Sequence, residues 1–235
     1  MIPKTLHVVW LSGDPLPDLV QKCLKSWREV MPDFEIRFWG LEDLQKLRVC
    51  DFAREAIAHR RWAFATDALR LEILRLEGGI CLDSDVIAVR SLTPLLGYRC
   101  FTAVECHPLI FERGGGKLLL DEEGRRLSRQ GISRVPGLGI QAAVMGAVAG
   151  HPFVEACCQH YLDSQFVLEQ GRFNEDPIAP SIYGTVAEKF GFRWLNDFQL
   201  LSEGVAVLPC SVIASHPNQY GRDTLLAHCC AGSWR

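Results

Sequence analysis

Hydrophobic and polar positions follow two different periods along this chain, and the periods take turns. The stretch "TLHVVWL" (5–11) is a short apolar run of the kind that forms a buried strand. It is followed by "PLPDLVQKCLKSWREVMP", which places Leu19, Cys23, Trp27 and Val30 on one face between bracketing prolines and so predicts an amphipathic helix. "FEIRFW" then alternates as a second strand. Strand, helix, strand in this order begins a doubly wound sheet, whose ligands gather beyond the carboxyl ends of parallel strands. Trp10 lies near such an end.

A second helix is predicted over "RRWAFATDALRLEILRLEGG", ending at Gly78 and Gly79, where glycine takes up the left-handed backbone that closes helices. Asp67 and Arg70 share a face of it, together with Ala63 and Leu74. That pair reads either as an ion pair at the edge of the core or as a polar notch aimed into a cleft. The next run, "ICLDSDVIAV", is bounded by glycine and by "SLTP" and predicts a strand. A strand repeats every two residues, so Asp83 and Asp85 project to the same side. Two ionised carboxylates there need a cation, a basic partner or solvent, because burying them unpaired is costly. Their hard oxygens suit Mg²⁺ or Mn²⁺, and a nucleotide diphosphate would complete the metal shell. A solvent-facing loop is the competing reading of the triplet.

Composition narrows the function classes. The chain has 235 residues, 48% hydrophobic and 23% charged, enough for one sizeable core, and it carries no repeat or low-complexity block. A single domain over 1–235 is the simplest expectation, with an α/β layered architecture. A net charge of -3, from 25 basic and 28 acidic residues, offers no polycationic face, so no nucleic acid partner is expected. The apolar start is too short for a signal peptide and no window reaches the roughly 20 apolar residues of a spanning helix, so a cytoplasmic location is expected. The ten cysteines are scattered and form no CxxC pair, which favours reduced thiols over a disulfide scaffold or a zinc ribbon. "GLGIQA" (137–142) fits G-x-G-x-x-A but follows a proline, and "GGG" (114–116) lacks the lysine spacing of a P-loop; both are expected to be turns.

Four segments, "IPKTLHVVW", "SW" at 26–27, "ATDALRLEILRLEGGICLDSD" and "LAHCCAGSW", together resemble the DxD-motif glycosyltransferases of the yeast-type initiating α-mannosyltransferases and bacterial capsular polysaccharide sugar transferases. The clostridial toxin glucosyltransferase domains are more distantly similar. This resemblance implies a glycosyltransferase-A fold, a single Rossmann-like mixed central sheet flanked by helices. It also implies a nucleotide-sugar donor, Mn²⁺ or Mg²⁺, and retention of anomeric configuration. Carried over motif by motif, Trp10 would stack on the base, and Asp67 and Arg70 would hold the donor sugar and face its diphosphate. Asp83 would bind ribose or sugar hydroxyls and take part in the metal site, with Gly79 and Ser84 beside the donor. Asp85 and His228 would ligate the metal, and Ser233 with Trp234 would contact the diphosphate from a tail that closes over it. His7 is matched too, but a histidine on a buried strand reads as structural. Family members often have asparagine where this chain has Gln141, and Gly-Pro where it has Ala179 and Pro180, so the acceptor side stays unassigned.

The implied reaction breaks the glycosidic bond to phosphate through an oxocarbenium-like state, with a carbohydrate, lipid-linked or protein acceptor. A lipid-linked acceptor would bring the chain to a membrane surface as a peripheral protein. Two other readings compete. A nucleotide-sugar-binding protein without transfer would keep the same residues. A haloacid-dehalogenase-type phosphatase also uses a strand like "ICLDSDVI", but needs it near the start of the chain and a later acidic cluster.

Overall fold

The computed structural model describes residues 1–127, 134–214 and 219–231. Strand β1 (Thr5–Val9) leads into helix α1 (Asp18–Val30) and strand β2 (Glu35–Trp39), as the periodicity predicts. Helices α2 (Asp51–Ala58) and α3 (Trp62–Glu77) follow, and α3 stops at Gly78 with φ of 68°. Next come β3 (Gly79–Leu82), β4 (Val86–Ala88), β5 (Cys100–Cys106) and the short helix α4 (Pro108–Arg113). The second half contributes β6 (Leu138–Ile140), β7 (Val144–Ala147), α5 (Pro152–Leu162) and α6 (Ala179–Ala187). It closes with β8 (Gln199–Leu200), β9 (Val205–Leu208), β10 (Ile213–Ala214) and β11 (Leu226–His228).

One central mixed sheet runs β2-β1-β3-β7-β5-β9-β8, with β6 paired to β5. β1 is parallel to β2 and β3, whereas β7 is antiparallel to both β3 and β5. Helices α2, α3, α5 and α6 cover one face, and their apolar residues, among them Leu71, Ile73, Phe153 and Tyr183, form one core. The other core gathers Val20, Cys23, Leu24 and Trp27 of α1 with Leu6, Val8, Ile80 and Leu82 from the sheet. Such two-sided covering is what the continuous apolar run of β3 requires, all four residues being buried.

The predicted strand over "ICLDSDVIAV" is interrupted. β3 belongs to the central sheet, but β4 joins a separate three-stranded sheet, β10-β11-β4, and Asp83–Asp85 form the turn between them. The Val86 N–H closes that turn on the Asp83 carbonyl at 3.2 Å. Two aspartates cost a strand interior more than they cost a turn, where their side chains meet solvent and cations. "GLGIQA" also departs from expectation: its central residues form β6, antiparallel to β5, because the partner strand satisfies backbone that local sequence leaves open. The "GGG" stretch is a turn, with Gly115 in left-handed conformation.

No disulfide joins any two cysteines among the described residues. No helix among the described residues is long and apolar enough to cross a membrane.

Candidate active site

The turn after β3 is held from three sides. From α1, the Trp27 Nε1–H donates to the Val86 carbonyl at 2.6 Å, and the Ser26 hydroxyl accepts from the Ala88 N–H at 2.9 Å. The "SW" pair thus clamps β4 beneath the turn. From the carboxyl-terminal side, β11 pairs antiparallel with β4 and sets His228 opposite Val86. The Cys229 N–H then reaches the Asp85 carbonyl at 3.0 Å and the Ala231 N–H reaches Asp85 Oδ2 at 2.9 Å. From the sheet, the Asp83 N–H donates to the Ala143 carbonyl at 2.8 Å.

These constraints bring Asp83, Asp85 and His228 together, one possible ligand atom from each lying within 4.8 Å of the others. His228 Nε2 is 3.3 Å from Asp85 Oδ1 and 3.8 Å from Asp83 Oδ2. Burial pulls the His228 imidazole down, but its hydrogen bond to Asp85, its contact with Cys230 and the charges of both aspartates outweigh this and push it up to about 11. Burial likewise works to raise Asp85, and the hydrogen bond from His228 and the Ala231 N–H reverse the direction to a lowered value. The trio carries more negative than positive charge, and its two carboxylates and imidazole form a donor set of hard oxygen and borderline nitrogen.

Behind Asp83 lies the notch on α3. Arg70 is buried, yet Nη2 donates to Asp83 Oδ1 at 2.6 Å and lies 3.4 Å from Asp67 Oδ1, while Nη1 donates to the Ala142 carbonyl. The pair at positions 67 and 70 is therefore an intrahelical ion pair that also reaches the DXD turn. Burial pushes the Asp67 carboxyl up to about 7 against the pull of Arg70, with Asp83 and Glu105 adding to the rise. Tyr183 of α6 donates its hydroxyl to the Asp67 carbonyl at 3.1 Å.

Trp10 sits just past the carboxyl end of β1, half-buried, its Nε1–H bonded to the Asp14 carbonyl at 2.9 Å. Parallel pairing of His7 with Cys81 carries the register toward Trp10 beside Ser84, so the indole and the DXD turn share one end of the sheet. An open cleft of about 270 Å³ lies there, lined by Trp10, Ser12, Phe38 and Gly40 among others. Ser84 is half-buried within the turn itself.

Gly79 lies elsewhere. It opens β3 at the amino end, about 13 Å along the strand from Asp83 at ~3.3 Å per residue. Its φ is +92°, and a Cβ would stand 2.6 Å from His7 Nε2, so close packing leaves no room for a side chain there. His7 is buried, its Nδ1 accepting from Trp39 Nε1–H at 3.1 Å and its Nε2 lying 2.9 Å from the Gly78 carbonyl, as befits a structural imidazole. Ser233 and Trp234 lie outside the described residues.

Two neighbours of the notch escaped the sequence reading. Glu105, near the carboxyl end of β5, acts on the charge of Asp67, and His107 Nε2 lies 3.3 Å from its Oε1. Both are half-buried. The legible signal was a carboxylate closing the apolar run "CFTAV", the position where α/β sheets gather ligands. Gln141 is buried with its Nε2 donating to the Ile213 carbonyl at 3.1 Å, and its Oε1 has no partner among the described residues. Ala179 and Pro180 open α6, where Pro180 packs on Gly139.

Residues 17–102 match the family described as a glycosyltransferase sugar-binding region containing a DXD motif. Over those residues this chain is similar to the DXD region of the glycosyltransferases. The region spans α1, both predicted helices' apolar faces and the turn at 83–85, which are the parts that build the notch and the carboxylate pair. Inositol phosphoceramide mannosyltransferase 3 of Schizosaccharomyces pombe is 28% identical over 156 residues, 65% of this chain and 35% of that protein. An uncharacterized glycosyltransferase of Acanthamoeba polyphaga mimivirus, L373, is 26% identical over 106 residues, 43% of this chain and 42% of that protein. The matched parts span less than half the length of these curated relatives. Among solved structures, mouse xyloside xylosyltransferase 1 in apo form superposes with a TM-score of 0.56 at 13% identity, covering 97% of this chain and 98% of that one. Galactosyltransferase LgtC, in complex with donor and acceptor sugar analogues, gives 0.50 at 16% identity, covering 96% and 87%. At such identities the likeness establishes the fold, which is the glycosyltransferase-A fold around the DXD region.

Proposed function

We propose that this chain is a retaining, metal-dependent glycosyltransferase that moves a hexose from a UDP- or GDP-sugar to a hydroxyl of a glycan, lipid-linked or protein acceptor. The observation that carries the reading is the convergence of Asp83, Asp85 and His228 on one point at the carboxyl end of the sheet. Two carboxylates and an imidazole suit Mn²⁺ or Mg²⁺. When bound, the cation supplies Lewis acidity toward the diphosphate leaving group. Residues 1–235 act as one catalytic unit, a reading supported by a central sheet that draws strands from Thr5 to Leu208.

The residues around the cation site divide the remaining tasks. Arg70 fixes the Asp83 carboxylate through Oδ1 and leaves Oδ2 turned toward His228. Asp67, raised toward neutrality by burial, is suited to hydrogen-bond a sugar hydroxyl as donor or acceptor. Trp10 offers its indole face to the base across the cleft at the ends of β1 and β2. Asp67 and Asp83 are both drawn to the Arg70 guanidinium, which makes them poor nucleophiles. Retention is therefore assigned to same-face attack. The acceptor oxygen bonds to the anomeric carbon as the carbon–phosphate-oxygen bond breaks, and the departing phosphate takes the acceptor proton.

A thermal-shift screen of UDP- and GDP-sugars with and without Mn²⁺ tests this, followed by an assay of donor hydrolysis. One donor should raise the melting temperature only when Mn²⁺ is present, and the same pair should release nucleoside diphosphate. Absence of any Mn²⁺-dependent shift across the donors would overturn the reading; a shift without hydrolysis or transfer would leave a nucleotide-sugar-binding protein.

A further inference from the structure

Two of the ten cysteines meet where β5 and β9 leave the sheet, one residue beyond Glu105. The two strands run parallel, with Ala103 level with Leu208. Carried on past the ladder, that register sets Cys106 level with Ser211, beside Cys210. The two thiols are in hydrogen-bond contact. Each residue is also held from outside the pair. Asn196 Oδ1 accepts from the Cys210 N–H at 2.8 Å, and Gln219 Nε2 donates to the Cys106 carbonyl at 2.7 Å. Cys210 is buried and Cys106 half-buried, so the pair meets solvent on the Cys106 side.

The surroundings set these thiols apart from others in the core. Cys81, Cys100 and Cys157 are buried, and burial pushes each thiol up, which keeps it protonated and inert. At Cys210 the hydrogen bond from the Cys106 thiol, a further bond from Asn196 and the charge of His107 outweigh burial and hold the thiol below its usual value. Cys106, the donor of that bond, is raised, with burial adding to the rise. The pair gives up one proton readily and shares the other, the state from which a dithiol reacts.

We propose that Cys106 and Cys210 form a reversible oxidation site, a dithiol that hydrogen peroxide converts to a disulfide tying the end of β5 to the segment between β9 and β10. The Cys210 thiolate attacks one peroxide oxygen. The S–O bond forms, the O–O bond breaks, and the hydroxide that leaves takes back the proton Cys210 had released. The Cys106 sulfur then attacks the sulfenic sulfur of Cys210, so that the S–S bond forms, the S–O bond breaks and the departing hydroxide carries off the Cys106 proton as water. Two thiols are oxidised by two electrons to one disulfide, and one peroxide is reduced to two waters. A thiol reductant reverses the change by exchange. The consequence for activity rests on the transferase reading. Closing the sulfurs from contact to about 2.05 Å pulls on the strand end that carries Glu105, which acts on Asp67. It also pulls on the segment leading to β10, which pairs with β11 and so with the strand of His228.

Peptide mapping of the full chain tests it, after stoichiometric hydrogen peroxide, denaturation and alkylation. The Cys106–Cys210 disulfide should form before any other cysteine is modified, remove two of the ten alkylatable thiols and disappear with dithiothreitol. Cys106→Ser should instead leave Cys210 as a sulfenic acid that dimedone traps. Donor turnover by the oxidised chain should fall about tenfold, because small displacements at a reacting centre are costly, and should return with dithiothreitol. A chain carrying both Cys106→Ser and Cys210→Ser should show no such loss. A disulfide that forms first at another pair, such as Cys23 with Cys229, or oxidation of other cysteines while this pair stays reduced, would overturn the proposal. So would a mapped Cys106–Cys210 disulfide that leaves turnover unchanged. If neither the reduced nor the oxidised chain turns over donor, the transferase reading fails, and the mapping still decides the oxidation site.

Discussion

Two guanidinium groups are buried among the described residues, at Arg70 and at Arg126, and their surroundings differ in one respect that separates scaffold from site. Arg126 meets Glu188 through two parallel bonds, Nε to Oε1 at 2.6 Å and Nη2 to Oε2 at 2.8 Å. Trp194 Nε1–H donates to the same carboxylate at 2.7 Å, and its ring lies 5.9 Å from the Arg126 guanidinium carbon. Here one guanidinium meets one carboxylate through two bonds. Arg70 instead faces Asp67 and Asp83 at once, with Glu105 acting on Asp67, so one guanidinium is shared between two carboxylates. An excess of buried charge costs stability unless something else arrives to share it. That sharing, rather than the burial of an ion pair, marks the end of the molecule where we propose that the sugar nucleotide binds.

Breaking the shared cluster and breaking the Arg126–Glu188 pair should have opposite signatures. Asp85→Asn removes a proposed cation ligand while keeping the turn's shape, and should lower Mn²⁺-dependent turnover by about a thousandfold. Its melting temperature without ligand should stay close to wild type, because the backbone bond from the Cys229 N–H to the Asp85 carbonyl survives. Glu188→Gln strips the charge from that pair and should destabilise the fold by about 3 kcal/mol, read by urea unfolding, with turnover per folded molecule unchanged. A loss of turnover in that variant would mean the two regions are not separable.

Smaller effects sharpen the contrast at the edges of the sheet. Trp10→Ala should weaken nucleotide affinity by about tenfold, roughly 1.4 kcal/mol, measured by calorimetry, because a stacking face is lost while the diphosphate contacts remain. His7 provides a pH test on the scaffold side. Burial holds its pKa below the usual histidine value of 6.5, so the unfolded chain takes up a proton that the folded chain refuses. Its contribution is therefore intact above that value and declines as pH falls below it. In His7→Gln the loss of stability between about pH 7 and about pH 5.5 should be smaller than in the wild type by about 1 kcal/mol. Equal losses would mean that His7 is not held neutral in the core.

The parts of the fold legible in the chain were those with strong periodicity. β1, α1, β2 and α3 lie where alternating and helical spacings place them, and Gly78 ends α3 as its position suggests. The DXD turn was read as strand interior, because an apolar run with two aspartates in it resembles one strand more than two strands of different sheets. Glu105 and His107 were missed for a related reason: a single carboxylate at a strand end has no local pattern, and its nearness to Asp67 depends on how β5 stacks beside β7. Gly79 was drawn toward the site by its neighbours in sequence, and strand length carries it away.

Local chemistry by itself determined which elements form and that a pair of carboxylates sits at the end of an apolar segment, since side-chain period, helix stops and desolvation cost act over a few residues. Only the tertiary structure decided that His228, 143 positions after Asp85 in the chain, completes the trio, and that Arg70 reaches across to Asp83. Those contacts arise from the pairing of β11 with β4 and from the packing of α3 beneath the sheet, long-range choices made by the burial of whole faces rather than by any short stretch of residues.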